Sequence, residues 1–164
     1  MSWPIPESER LRLLQLQDLA RRELDHLQQT DARLFAEAWT PAELRQRCQS
    51  IDFAERVDAF VARFGRLQDL LGDKFLPAYL RAMQEPAAAM LQNLDRAERL
   101  GLIRSADEWV ALRQLRNRLI HEYQQSDADL HAALMAAHQG VPALQHAVER
   151  LCDAVAERVG GVGA

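Results

Sequence analysis

Apolar residues recur along the chain with the period of an α-helix, and capping or turn signals divide the pattern into segments. After Pro4 and Pro6, a stripe of Leu13, Leu16, Leu19, Leu24, Leu27, Leu34 and Phe35 predicts a long helix over about residues 7–39. Thr40-Pro41-Ala42-Glu43 is a capping box with proline at the first helical position, so a second helix starts there. Ile51, Ala54, Val57, Phe60, Val61, Phe64, Leu67 and Leu71 form the next stripe, with Gly72 as its expected stop. Helix is expected again over 74–83, with Pro77 in its first turn and Pro86 ending it. Another follows over 87–100, with Gly101 just past its end. Ser105-Ala106-Asp107-Glu108 is a second capping box, launching a helix that runs to about Gln124. Ser126 or Asp127 caps a helix stopped by Gly140, and 141–159 forms the last one before a frayed tail at 160–164.

The helix of residues 109–123 has polar side chains where a helix that only packs would not put them. At 100° per residue, Trp109, Leu112, Leu115, Leu119, Ile120 and Tyr123 share one broad arc that should face inward. Arg116 falls within that arc, and an inward guanidinium costs several kcal/mol unless it is paired or lines a polar cleft. Asp69 and Asp73, flanking Gly72, admit two readings: surface ion pairs at a helix end, or a carboxylate that pairs with Arg116 and orients it. His121 follows Asn117 by four residues and lies beside it at the edge of the polar face.

Those residue types suit phosphodiester chemistry. A histidine can take a proton from a hydroxyl or return one to a leaving group. A guanidinium can hold a phosphate and stabilise charge developing at phosphorus. Metal-independent RNA cleavage would use a 2′-OH as nucleophile, His121 as general base or acid, and Arg116 on the phosphoryl oxygens. Asn117 would orient the imidazole or bind a phosphate oxygen. Arg116 and His121 are five residues apart, about 140° around a regular helix, and cannot both project straight from one face. Either Arg116 reaches around, or the helix distorts, or a second copy of the chain completes the site across a two-fold interface.

Composition narrows the remaining classes. A chain of 164 residues with 48% hydrophobic and 27% charged positions fits one domain spanning 1–164 with a sizeable core. The scarcity of β-branched residues argues for an all-α fold. A net charge of −4 makes any RNA contact local, with Arg113, Arg116 and Arg118 as the small basic cluster. All but one of the 20 basic residues are arginine, which suits paired and phosphate-facing positions and equally fits the codon bias of a GC-rich genome. Cys48 and Cys152 have neither metal nor redox spacing, and no signal peptide or membrane-spanning run is read, so the expected location is the cytoplasm. Glu23 and His26 have the Glu-x-x-His spacing of a di-iron bundle, but no second copy exists. His131, His138 and His146 lack completing ligands, so no metal or other cofactor is expected.

The octamer Arg116-Asn117-Arg118-Leu119-Ile120-His121-Glu122-Tyr123 resembles the RX4HXY motif of the HEPN superfamily, in particular its HepT-like toxins. Phe64-Gly65-Arg66-Leu67-Gln68-Asp69, Gly72-Asp73-Lys74, the run from Asn93 to Ile103, Trp109 and Leu112-Arg113 resemble stretches of the same group in the same order. The resemblance covers about residues 50–125. It implies an up-and-down bundle of four to five main helices plus short ones, a homodimer with Arg116 and His121 at an interface cleft, and ribonuclease activity. It also implies a cognate minimal nucleotidyltransferase antitoxin that transfers AMP to Tyr123, where added bulk and negative charge would repel RNA. Related domains serve instead as non-catalytic binding partners of nucleotidyltransferases, which is the alternative role. A third reading is a structural bundle in which Arg116 merely pairs with Asp69 or Asp73.

Overall fold

The computed structural model describes residues 4–85, 88–122 and 126–159. Expectations that fall on Pro86, Ala87, Tyr123, Gln124 and the 160–164 tail lie outside that set. The described chain is all-α: α1 (Glu7–Leu34), α2 (Pro41–Arg47), α3 (Ile51–Asp69), a π-helical turn (Leu70–Phe75), α4 (Leu76–Ala82), α5 (Met90–Arg99), α6 (Ala106–Glu122) and α7 (Asp127–Val159).

Four long rods make an up-and-down bundle. Arg63 on α3 reaches Thr30 and the His26 carbonyl on α1, while Arg66 pairs with Glu23, so α1 and α3 run antiparallel. His138 of α7 meets Asp31 of α1, and Cys152 lies across from Arg21, which sets α7 antiparallel to α1 as well. On α6, Trp109 faces Gly72 and Arg116 faces Gly65, reversing direction against α3. Phe60, Phe64, Phe75, Leu13, Leu16, Leu27, Leu119 and Leu134 are fully buried where these rods meet.

Local chemistry accounts for the starts of several helices. Thr40 accepts from the Glu43 amide at 3.2 Å, with Pro41 opening α2. Ser105 accepts from the Glu108 amide at 3.1 Å and opens α6, and Ser126 accepts from Asp129 at 3.4 Å at the start of α7. Gly101 adopts φ +73° just past α5, a left-handed conformation that glycine takes without steric cost.

Three expected boundaries differ, each through packing. Helix α1 ends at Leu34 rather than near Trp39, because the Trp39 indole folds back, buries itself and donates to the Leu34 carbonyl at 3.3 Å. Gly72 does not stop a helix: the chain continues through the π turn into α4, and Gly72 instead lets the Trp109 indole approach. Helix α7 passes through Gly140 without a break; the glycine is there for close packing, since a β-carbon would stand 2.6 Å from Leu112. Pro142 also lies within α7 and lacks the amide that would otherwise bond four residues back. The helix after α4 begins at Met90. Ile51 and Ile120, both assigned to inward stripes, are 71% and 55% exposed.

Candidate functional site

Helix α6 lies along α3 and the π turn, and the polar residues of the two rods pair across that seam. Arg116 meets Asp69 with an N–O distance of 2.8 Å, and Arg113 meets Asp73 at 3.4 Å. Asp69 is therefore the carboxylate that pairs with Arg116, while Asp73 pairs with Arg113 instead. The Arg116 side chain is 31% exposed and that of Asp69 is 37% exposed, so neither charge is buried. Such a pair contributes under about 1 kcal/mol to stability. Arg116 sits on the flank of α6 turned toward α3, beside the buried Trp109, Leu112, Leu115 and Leu119.

Glycine makes this approach possible. A β-carbon on Gly65 would stand 3.0 Å from the Arg116 Nε, and one on Gly72 would stand 3.3 Å from the Trp109 Nε1. Gly65, Asp69 and Gly72 recur at helical spacing on the side of the rod that faces α6. The sequence pattern gave Gly72 only the role of a helix stop and gave Gly65 and Gln68 none. A seven-residue glycine spacing around an aspartate was the available signal. Gln68 is 1% exposed, and among the described residues neither its amide oxygen nor its amide nitrogen has a partner; the buried Trp109 Nε1 likewise has none there.

The π turn supplies the other half of the seam. The Leu76 amide bonds to the Leu71 carbonyl five residues back, which inserts one extra residue between α3 and α4. Gly72 and Asp73 stand within that widened turn and face Trp109 and Arg113.

Asn117, Arg118 and His121 are exposed on α6, away from the seam. The helix is regular from Ala106 to Glu122, so no distortion brings His121 round to Arg116. Arg116 reaches toward Asp69 on α3 and not around its own helix. Thus neither of the two ways of uniting arginine and histidine within one chain is used. Tyr123, the residue assigned to modification, lies outside the described residues.

Of the histidines considered as ligands, His131 and His138 have other partners. His131 bonds the Trp39 carbonyl at 2.8 Å, and His138 meets Asp31 at 2.7 Å while stacking on Phe35. Glu23 pairs with Arg66, and His26 offers its carbonyl to Thr30 and Arg63. Among the described residues, no group of three or more His, Cys, Asp or Glu side chains is arranged to hold a metal ion. No helix there is long and apolar enough to cross a membrane.

Residues 78–154 match the model of a family described as HepT-like ribonuclease. Over that span the chain is similar to HepT-like ribonucleases. No curated protein and no solved structure matches the chain. The HepT-like span contains α5, α6 and most of α7, and so holds Arg113, Arg116, Asn117 and His121. It begins after Asp69 and Asp73, and it extends into α7, where the sequence offered no motif.

Proposed function

We propose that this chain is a metal-independent endoribonuclease acting as the toxin of a toxin–antitoxin pair, with Arg116 and His121 at a site completed by a second copy. The observation that carries the reading is the placement of Arg116 and His121. Within the HepT-like span, a partly exposed arginine is aimed by Asp69, and an exposed histidine stands five residues on along a straight helix. Arg116 binds the scissile phosphate and stabilises the charge that develops on its oxygens. His121 moves the proton of the attacking 2′-OH or that of the departing 5′-oxygen. Asn117, one turn before His121, orients the imidazole or a phosphate oxygen, and Arg113 and Arg118 contact flanking phosphates.

The 140° between Arg116 and His121 calls for a second copy. Ile120, apolar and 55% exposed immediately before His121, supports pairing through this part of α6. In the same reading, a cognate minimal nucleotidyltransferase silences the toxin by transferring AMP to Tyr123, and the pair acts in the cytoplasm.

The decisive experiment mixes two inactive variants. Wild-type protein should cleave RNA in EDTA, and Arg116→Ala and His121→Ala should each be inert. Co-refolded together they should regain cleavage, because one of the two shared sites then holds an intact arginine and an intact histidine. Activity retained in both single variants would refute the assignment, and absence of recovery in the mixture would refute the shared site.

A second reading has one observation in its favour: Arg116 is already engaged by a carboxylate at 2.8 Å. In that reading the chain is a non-catalytic binding partner of a nucleotidyltransferase. It predicts no growth arrest when the chain is expressed alone, and arrest that depends on Arg116 and His121 decides against it.

A further inference from the structure

A cavity of about 330 Å³ opens between the π turn, α4 and α5. Its volume is near the small end of the roughly 300–1,000 Å³ typical of small-molecule sites, enough for one nucleoside-sized group. It adjoins the arginine seam directly: Gly72 and Asp73 form one wall, and the same residues carry Trp109 and Arg113 of α6 on their other side. We infer that this cavity is a nucleobase subsite, and that it selects guanine in the RNA strand crossing Arg116. The inference rests on the ribonuclease reading above.

Position comes first. Contacts along the seam run in order from Trp109 at Gly72, through Arg113 at Asp73, to Arg116 at Asp69. His121 lies beyond Arg116, at the end of α6 away from the cavity. Arg113 and Arg116 are three residues apart, a rise of about 4.5 Å along the helix. A strand whose scissile phosphate rests on Arg116 therefore brings a neighbouring nucleotide to Arg113, with its base at the Asp73 wall.

The lining then decides which base. Leu80 and Met90 give the cavity an apolar surface for a ring, and a thioether packs well against aromatic edges. Arg113 contacts one Asp73 oxygen at 3.4 Å, so the carboxylate keeps acceptor capacity for a base edge. Asn93 commits its amide nitrogen to the Ala88 carbonyl at 3.2 Å, leaving its carbonyl oxygen as an acceptor. Arg81 is exposed at the rim and has no ion pair among the described residues. Acceptors at Asp73 and Asn93 match the adjacent N1–H and N2–H donors of guanine, and the Arg81 fork matches its O6 and N7 acceptors. Uracil offers a single N–H between two carbonyl oxygens, which face the carboxylate unfavourably.

Binding of 2′-O-methyl pentanucleotides to the full-length protein tests this without cleavage, since the nucleophilic hydroxyl is blocked. Fluorescence anisotropy should show an oligomer with one central guanine binding about tenfold tighter than its uracil counterpart. Inosine, which lacks the N2 amino group, should fall between them. Asp73→Asn, at an exposed side chain, and Ala88→Trp, which fills the cavity, should each erase the preference; thermal melts establish that both variants are folded. Equal affinity for all three oligomers, no binding of any, or a preference that survives both substitutions overturns the subsite. A protein that cuts RNA without regard to base loses the subsite and keeps the nuclease reading. One that prefers the guanine oligomer but cuts nothing keeps the subsite and loses the nuclease reading.

Discussion

The Arg116 side chain lies across Gly65, with its Nε 3.0 Å from the point where a β-carbon would stand. The arginine reaches Asp69 over a surface that only glycine leaves open. Within a helix, alanine is intrinsically favoured over glycine by about 1 kcal/mol. Gly65→Ala should therefore melt within a few degrees of wild type while displacing the guanidinium. RNA cleavage is expected to fall at least tenfold with little change in melting temperature. Full activity in Gly65→Ala would show that the path of the arginine over α3 is not required.

Asp69→Asn removes the charge that holds Arg116 and keeps the shape. Both partners are about one-third exposed, so the loss of stability should stay under about 1 kcal/mol. The released guanidinium should bind phosphate more tightly yet be less well aimed. Anisotropy with 2′-O-methyl RNA should show stronger binding, and cleavage assays a lower turnover. A stability loss of several kcal/mol would instead mark the pair as structural.

Gly140 tests the contact between α6 and α7. A β-carbon there would stand 2.6 Å from a Leu112 methyl in a buried contact that also includes Phe64. Overpacking of this kind costs about 1–3 kcal/mol, against a helix-propensity gain of about 1 kcal/mol. Gly140→Ala is expected to lower unfolding stability by about 1 kcal/mol in urea titrations. A stabilised variant would mean that Leu112 rotates away freely.

The two cysteines should be slow nucleophiles. Burial raises the Cys152 thiol above its ordinary pKa and outweighs the nearby Arg21, and burial likewise raises Cys48. A raised pKa lowers the thiolate fraction at neutral pH, and the thiolate is the reactive form. At pH 7, Ellman's reagent should titrate Cys152 in the folded chain far more slowly than in the denatured chain, with the half-buried Cys48 faster of the two. Equal rates for the native and denatured chains would contradict this environment.

Much of the bundle could be read from local pattern alone. Apolar periodicity, the Thr40 and Ser105 caps and the Gly101 boundary depend on residues within one or two turns of each other, and all three appear in the fold. The isolation of Arg116 on a mainly apolar flank was also visible, and it located the seam. What the pattern could not supply was the meaning of Gly72 and Gly140. A glycine past an apolar stripe marks a helix end when only its own helix is considered. Here it marks the place where Trp109 or Leu112, distant in sequence, needs room. The choice between Asp69 and Asp73 as partner of Arg116 had the same origin. Both lie within reach of an arginine on a facing helix, and only the antiparallel register of α6 on α3, with Asp73 inside the π turn that follows Asp69, gave Asp69 to Arg116 and Asp73 to Arg113. Local sequence thus determined the helices and their polar flank. Tertiary packing decided which residues meet, because register and close approach depend on two surfaces at once.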